Sequence, residues 1–414
     1  MPLQLSSSSS LEEIDETLIL IPGLPNDVGE HILSLLPYSH HSRVKLTRKS
    51  WNLFLSSKTL FSLRRIHRRL SHLLCIFPQD PHISSPFLFD PENVAWRPLP
   101  PLPCNPYEYG LCNFNSIALG PYLYVLGGSL FDTRSFPLDR PCSSSSAFRY
   151  NFLTLQWDRL APMLSPRGSF ACAALPGTDQ IIVAGGGSRH TMFRAAGSTI
   201  RSVERYDVGR DEWVSMNGLP AFRAGCVGFT VRGDKKEEFW VMGGYGESRT
   251  VAGVFPMDEY CRDAVVMELK ENGRGNWRRT GDMWEEGERP RFGKIVVVDD
   301  EEGGRPSVFM LDNKYILRYN MDTNRWLKES RVPREYVYGG SFGFVVLNEE
   351  LHVMTLVNGV DSTETRWSRR QKRVGTLFSQ IYHPRKKTWR FLVTKPPFNE
   401  PLDFSTAIMC PIRL

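Results

Sequence analysis

The sequence predicts a mostly β chain: a closed ring of six four-stranded antiparallel sheets, preceded by a small three-helix region. Three observations predict it. An aromatic residue is followed seven positions later by tryptophan five times, at Phe89/Trp96, Tyr150/Trp157, Tyr206/Trp213, Tyr319/Trp326 and Tyr382/Trp389. Apolar runs end in Gly127-Gly128, Gly185-Gly186 and Gly243-Gly244. The tryptophans recur about every 59 residues, with Trp277 in series although Met267 and Leu269 hold its strand; a period of that size marks a repeat whose units cannot bury their faces alone.

The elements follow in order. Residues 1–17 carry a five-serine run and four acids, and are expected to be disordered. Region 18–70 is helical. The spacing of Val28, Ile32, Leu35 and Leu36 predicts one helix, with Asp27 and Glu30 as a capping box and Pro37 as its stop. A second helical stretch holds Val44, Leu46, Trp51, Phe54 and Leu55, and a basic helix continues to about Leu70. The cluster Arg64, Arg65, Arg68 and Arg69 reads as a solvated helix end. Arg369, Arg370, Lys372 and Arg373 read as a solvated loop, with nuclear import or acidic-lipid binding as the other reading of both.

The β region spans 72–414. Complete sheets are expected at Asn115–Trp157, Ser169–Trp213, Gly225–Trp277, Lys294–Trp326 and Gly343–Trp389. Trp96 has too little sequence before it for a sheet, and the run 404–412 stands alone. A sixth sheet built from both ends accounts for both: 404–412 innermost, then Leu73–Phe77, Pro86–Asp90 and Ala95–Leu99.

The repeat resembles the kelch motif, which implies a kelch-type β-propeller. The helical region resembles the F-box in Leu24-Pro25-x-Asp27, Ile32-Leu33-x-x-Leu36-Pro37 and Lys49-Ser50-Trp51-Asn52. It departs from that family at His41 and Ser42, and at Thr47 and Arg48. Together the two resemblances imply the substrate-recognition subunit of a Skp–cullin–F-box ubiquitin ligase. Leu24, Pro25, Ile32, Leu33, Leu36 and Trp51 would bind the Skp-family adaptor and, through it, cullin; the propeller would hold an unidentified target protein. The alternative is a kelch scaffold outside any ligase, with a degenerate F-box.

Target-binding residues are expected where the connections from strand two to three and from strand four to the next sheet share a face. The former look long at Ser129–Ala147, Arg189–Ile200, Tyr245–Arg262 and Val360–Gly375. The latter carry Arg167, Arg223, Arg291 and Arg334, a ring suited to an acidic or phosphorylated peptide or else to local packing. Tyr107, Tyr109, Phe222, Tyr336 and Tyr338 would add aromatic anchors.

Composition narrows the class. The net charge is +6, from 51 basic and 45 acidic residues interspersed, so no nucleic-acid partner is expected. Eight cysteines form no Cys-x-x-Cys pair, and neither a secretory signal nor an apolar run of membrane-spanning length is visible. A soluble protein of the cytoplasm, the nucleus or both is expected, without metal or cofactor. Beyond residue 83 the histidines are His190, His352 and His383, in unrelated positions, so a copper site of the oxidase kind is not expected. The pairs Asp299-Asp300 and Glu301-Glu302 read as exposed acids, and no nucleophile–base pattern is recognisable, so a non-catalytic protein is expected. Gly185-Gly186-Gly187 lacks the lysine of a phosphate loop, and Pro98–Pro103 reads as a rim crossing rather than a proline-rich ligand.

Overall fold

The seven-residue spacing is the length of one hairpin. The computed structural model describes residues 19–79, 85–104, 109–132, 142–175, 177–187, 199–232, 236–251, 255–270, 275–285, 292–299, 304–312, 314–334, 341–357, 375–398 and 402–414. In it each aromatic stands directly across the ladder from its tryptophan: Phe89 from Trp96, Tyr150 from Trp157, Tyr206 from Trp213, Tyr319 from Trp326 and Tyr382 from Trp389. The ring centroids lie 4.4 to 5.2 Å apart. Two residues before each of these tryptophans the chain turns through positive φ, at Val94, Leu155, Asp211, Asn324 and Lys387. That conformation closes the loop while keeping the pair opposed. Met267 faces Trp277 in the hairpin that lacks the aromatic.

The chain divides into two units, Met1–Ser71 with Leu414, and His72–Arg413. Among the described residues the second contains six four-stranded sheets. Blade one is Ile408–Arg413, His72–Phe77, Phe87–Asp90 and Ala95–Pro98, in that order across the sheet. Its seam is the pairing of His72 through Phe77 with Arg413 back to Ile408. The closing strand begins later than Phe404, because Phe404–Thr406 forms a turn that buries the Phe404 ring instead. Blades two to six begin at Asn115, Ala171, Val227, Lys294 and Gly343, and end at Leu160, Met216, Arg279, Arg331 and Thr394.

Adjacent blades share their cores. The cluster of Phe229, Trp240, Val266, Val308, Met310 and Trp326 joins blade four to blade five. Leu74, Phe89, Val345 and Leu377 join blade one to blade six. Five strand-four tryptophans also donate their indole N–H to the preceding blade or its exit: Trp157 to the Pro100 carbonyl, Trp213 to Ala161, Trp277 to Asn217, Trp389 to Ser330 Oγ and Trp96 to Thr394 Oγ1, at 2.8 to 3.1 Å. Trp326 has no such acceptor; it stacks on Trp284 at 6.2 Å. The Gly-Gly turns need positive φ at both residues. At Gly185 (φ 67°) a Cβ would also stand 2.2 Å from the Arg223 carbonyl oxygen, so no other residue fits.

Two of the long connections carry strands of their own. Ser129–Asp132 pairs with Tyr109–Cys112 and Cys142–Ser143, and Tyr245–Val251 pairs with Phe255–Tyr260. The other two, about 189–200 and 360–375, lie largely outside the described residues.

Among the described residues the first unit has four helices rather than three: α1 (Asn26–Ser34), α2 (Tyr38–Lys45), α3 (Lys49–Leu55) and α4 (Lys58–Ile66). The expected second stretch breaks at Leu46-Thr47-Arg48, where the Thr47 hydroxyl donates to the Val44 carbonyl and Arg48 is extended. The capping box does not form. Pro25 is the N-cap of α1, and Asn26 Oδ1 accepts from the Leu20 N–H instead. Ser57 caps α4 by accepting from Leu60 N at 3.2 Å. The unit's core is Leu20, Leu33, Phe54, Leu55 and Leu60. Residues 1–17, expected to be disordered, lie outside the described residues.

Candidate functional site: an apolar helix ridge and a polar propeller face

Two stripes run along α1, one residue apart. Gly29 and Leu33 face inward, Leu33 at 2% exposure. Leu24, Val28, Ile32 and Leu35 face solvent at 40, 40, 42 and 50%. Their spacing puts Val28, Ile32 and the C-cap Leu35 on one side of α1, and Leu24 stands in the turn just before the helix. Gly29 permits this arrangement, since a Cβ there would press on the Leu20 side chain at 3.1 Å.

The residues expected to bind the adaptor therefore separate. Leu24, Pro25 and Ile32 are exposed, Leu36 and Trp51 are half-buried at the margin of the core, and Leu33 is core. Leu33 is a correction: its position on α1 turns it onto Phe54, Leu55 and Leu60. Val28 and Leu35 read from the sequence as part of one helix face but not as adaptor-binding residues, although their spacing to Ile32 carried the signal.

The departures from the F-box pattern have structural jobs. Arg48 and the Trp51 indole both donate to the Leu20 carbonyl, at 3.2 and 2.7 Å. His41 is buried, with Nε2 3.1 Å from the Leu36 carbonyl oxygen. Arg64 is a second correction: it is buried, not a solvated helix end. It donates to the Ser34, Leu36 and Arg69 carbonyls and to Ser71 Oγ. With no carboxylate among these partners, burial lowers its pKa to about 10, so it stays cationic at neutral pH.

The arginine ring does not form as a surface. Arg167 is fully buried: it donates to the Gly185 and Ser202 carbonyls at 3.0 and 2.9 Å, to Ser202 Oγ, and pairs with Glu204. Arg223 repeats this one blade on, with the Gly243 and Asp263 carbonyls at 3.1 Å and Asp263 Oδ1 at 2.7 Å. Both are packing residues. The Gly-Gly turn directs a carbonyl between blades, and the guanidinium satisfies it there. Arg334 is exposed. Arg291, Tyr107, Tyr336 and Tyr338 lie outside the described residues, as does the Tyr109 side chain.

The end of the propeller that carries the strand two–three and four–one connections holds a cleft of about 580 Å³ beside blade four. Phe222, Arg223, Cys261, Arg262, Arg279 and Asp282 line it. Arg223 pairs with Asp263, and Arg262 with Asp282 at 3.2 Å. Arg279 is exposed and has no ion-pair partner among the described residues. Phe222 forms a wall under the Arg201 guanidinium, 5.0 Å away. Burial pushes the Cys261 thiol pKa up, against the pull of Arg223, so the thiol is a weak nucleophile at neutral pH. His352 is buried, with its pKa lowered to about 4 by burial against the pull of Glu350, and its Nδ1 lies 3.5 Å from Ser379 Oγ. Among the described residues no group of three or more His, Cys, Asp or Glu is placed to hold a metal ion, and no helix is long and apolar enough to cross a membrane. The cleft is suited to binding a polar side chain against an aromatic wall.

These features define a class: a six-bladed kelch-type propeller joined to a small helical unit with an exposed apolar ridge. The kelch motif matches residues 110–164. The F-box/kelch-repeat protein OR23 of Arabidopsis thaliana is 61% identical over 97% of this chain and 93% of its own length. The F-box/kelch-repeat protein SKIP30 and the F-box protein AFR, from the same plant, are each 31% identical, over 52% and 49% of this chain and 58% and 50% of their own. The chain belongs to the F-box/kelch-repeat proteins. Proteins of this family serve in general as non-enzymatic receptor subunits of ubiquitin ligases.

Proposed function

We propose that this chain is the substrate-recognition subunit of a Skp–cullin–F-box ubiquitin ligase. The ridge Leu24, Val28, Ile32 and Leu35, flanked by Pro25, takes the adaptor, and the propeller end bearing the blade-four cleft takes the target. One observation carries the reading: Val28, Ile32 and Leu35 stand 40–50% exposed on one side of a helix whose unit already has a core, with Leu24, 40% exposed, in the turn before it. Such a stripe suits a partner's groove. His41, from within, and Arg48, through the Leu20 carbonyl, both tie the unit together, which favours a working F-box over a degenerate one. Eight unpaired cysteines fit a reducing compartment, cytoplasm or nucleus.

Co-purification of the full chain with a Skp-type adaptor and cullin tests it. Wild type should bring down both, and the Val28→Glu, Ile32→Glu double variant neither. Adaptor without cullin would favour the scaffold reading; no adaptor with wild type would overturn the receptor reading.

A further inference from the structure

Blade six treats its arginine differently from blades three and four. In blade three the residue two before the strand-three tyrosine is Glu204, before Tyr206, and it holds Arg167 inside. In blade six that position is Gln380, before Tyr382. The neutral amide grips the backbone of Arg334 from both sides: Gln380 Oε1 accepts from Arg334 N at 2.9 Å, and Gln380 Nε2 donates to the Arg334 carbonyl at 3.1 Å. It offers the guanidinium no charge. The Arg334 side chain lies instead over the Phe378 ring at 4.8 Å and the Phe391 ring at 5.8 Å. The two rings stack at 5.7 Å. Arg334 is exposed, and no carboxylate among the described residues pairs with it. The result is a cation held in place on an aromatic platform, without a counter-charge among the described residues.

Beside it runs the outermost strand of blade six, Thr388–Thr394, whose far edge has no strand partner among the described residues. Leu392 and Thr394 turn toward blade one. Phe391 and Val393 turn the other way and are 50 and 57% exposed. The outermost strands of blades two, four and five place charges after their tryptophan: Asp158 and Arg159, Arg278 and Arg279, Lys328 and Glu329. Charges there deter a strand from adding to the edge. In blade six Arg390 follows the tryptophan but is drawn to Glu350, and the next three residues, Phe391-Leu392-Val393, are uncharged, as the blade-three strand is after Trp213.

We propose that this edge is a second docking surface, which receives an extended acidic peptide segment of a partner protein. The incoming strand pairs with Thr388–Thr394. Its side chains on the Phe391 and Val393 face alternate an apolar group on those two residues with a carboxylate on Arg334. The arrangement combines main-chain pairing with one charge-assisted contact. It does not depend on the adaptor ridge, and its test does not involve the adaptor.

The test titrates the full chain into a fluorescein-labelled heptapeptide alternating valine with glutamate, and into its lysine counterpart. The glutamate peptide should bind saturably, and the lysine peptide at least about tenfold more weakly. Arg334→Glu should reverse that preference, while Arg334→Gln should abolish it with the melting temperature unchanged. Amide exchange should slow within 388–394 on binding. The proposal is overturned if the glutamate peptide shows no saturable binding below about 1 mM, if Arg334→Glu leaves the preference intact, or if protection falls outside 388–394. Binding of a thymidine oligonucleotide but not the peptide would likewise overturn it, in favour of a phosphate site.

Discussion

Trp96 donates its indole N–H to the hydroxyl of Thr394 at 3.1 Å, across the seam where blade one meets blade six. The two residues are 298 apart in sequence. The bond repeats, with a side-chain acceptor, what Trp157, Trp213 and Trp277 do with backbone carbonyls. Thr394→Val keeps the shape and removes the acceptor. The expected loss is about 1 kcal/mol of unfolding free energy, read by urea denaturation. An unchanged midpoint would mean the seam is held by apolar packing alone.

Arg167 and Glu204 form a buried ion pair in which each partner is satisfied twice over, since Glu204 Oε2 also accepts from Leu164 N at 2.8 Å. Removing one partner leaves the other charge buried. Arg167→Met is therefore expected to cost about 3–5 kcal/mol, whereas Arg334→Ala, on the surface, should stay within about 0.5 kcal/mol. Equal effects in denaturation would contradict the division of the arginines into interior and exterior.

Val94 sits at φ 51° in the blade-one hairpin, where blades three and five place Asp211 and Asn324. A β-branched residue is strained in that region. Val94→Gly should raise stability by about 1 kcal/mol, and Val94→Asn by somewhat less.

Burial lowers the Lys294 ammonium pKa to about 8, against the pull of Asp403, from an ordinary value of 10.5. Its Nζ donates to the Phe404 carbonyl beside the closing strand. The unfolded chain thus holds this proton to higher pH than the folded one, so stability from this site rises between about pH 8 and 10.5 and is lost below about 8. Wild-type unfolding free energy, relative to Lys294→Met, should climb from pH 7.5 to 10. A flat or falling difference would contradict the placement of Lys294.

The blades were legible because a hairpin of fixed length imposes a fixed spacing, and Tyr206 and Trp213 are one cross-strand pair seen in one dimension. The helix break at Leu46–Arg48 was not legible, because nothing local forbids a helix there; Arg48 is drawn away to the Leu20 carbonyl, 28 residues back. Nor was the burial of Arg167 and Arg223. A guanidinium is buried only when enough acceptors converge on it, and for Arg167 and Arg223 the carbonyls and the carboxylate come from residues 18 to 40 positions onward. The difference in Arg334 was written in the sequence, as Gln380 in place of Glu204, but only the register of the blades gives that exchange a meaning. On α1 the repeat of apolar residues announced a helix without saying which of two adjacent stripes was core.

Ile32 and Leu33 are neighbours in sequence with opposite fates, and they test the central claim most directly. The measurement is a paired titration of the full chain with a Skp-type adaptor, alongside its melting curve, for Ile32→Ala and Leu33→Ala. Ile32→Ala should weaken binding by at least about tenfold with the melting temperature near wild type, while Leu33→Ala should destabilise the helical unit by about 2–5 kcal/mol. If Ile32→Ala binds like wild type, the ridge is not the adaptor surface and the receptor assignment built on it fails.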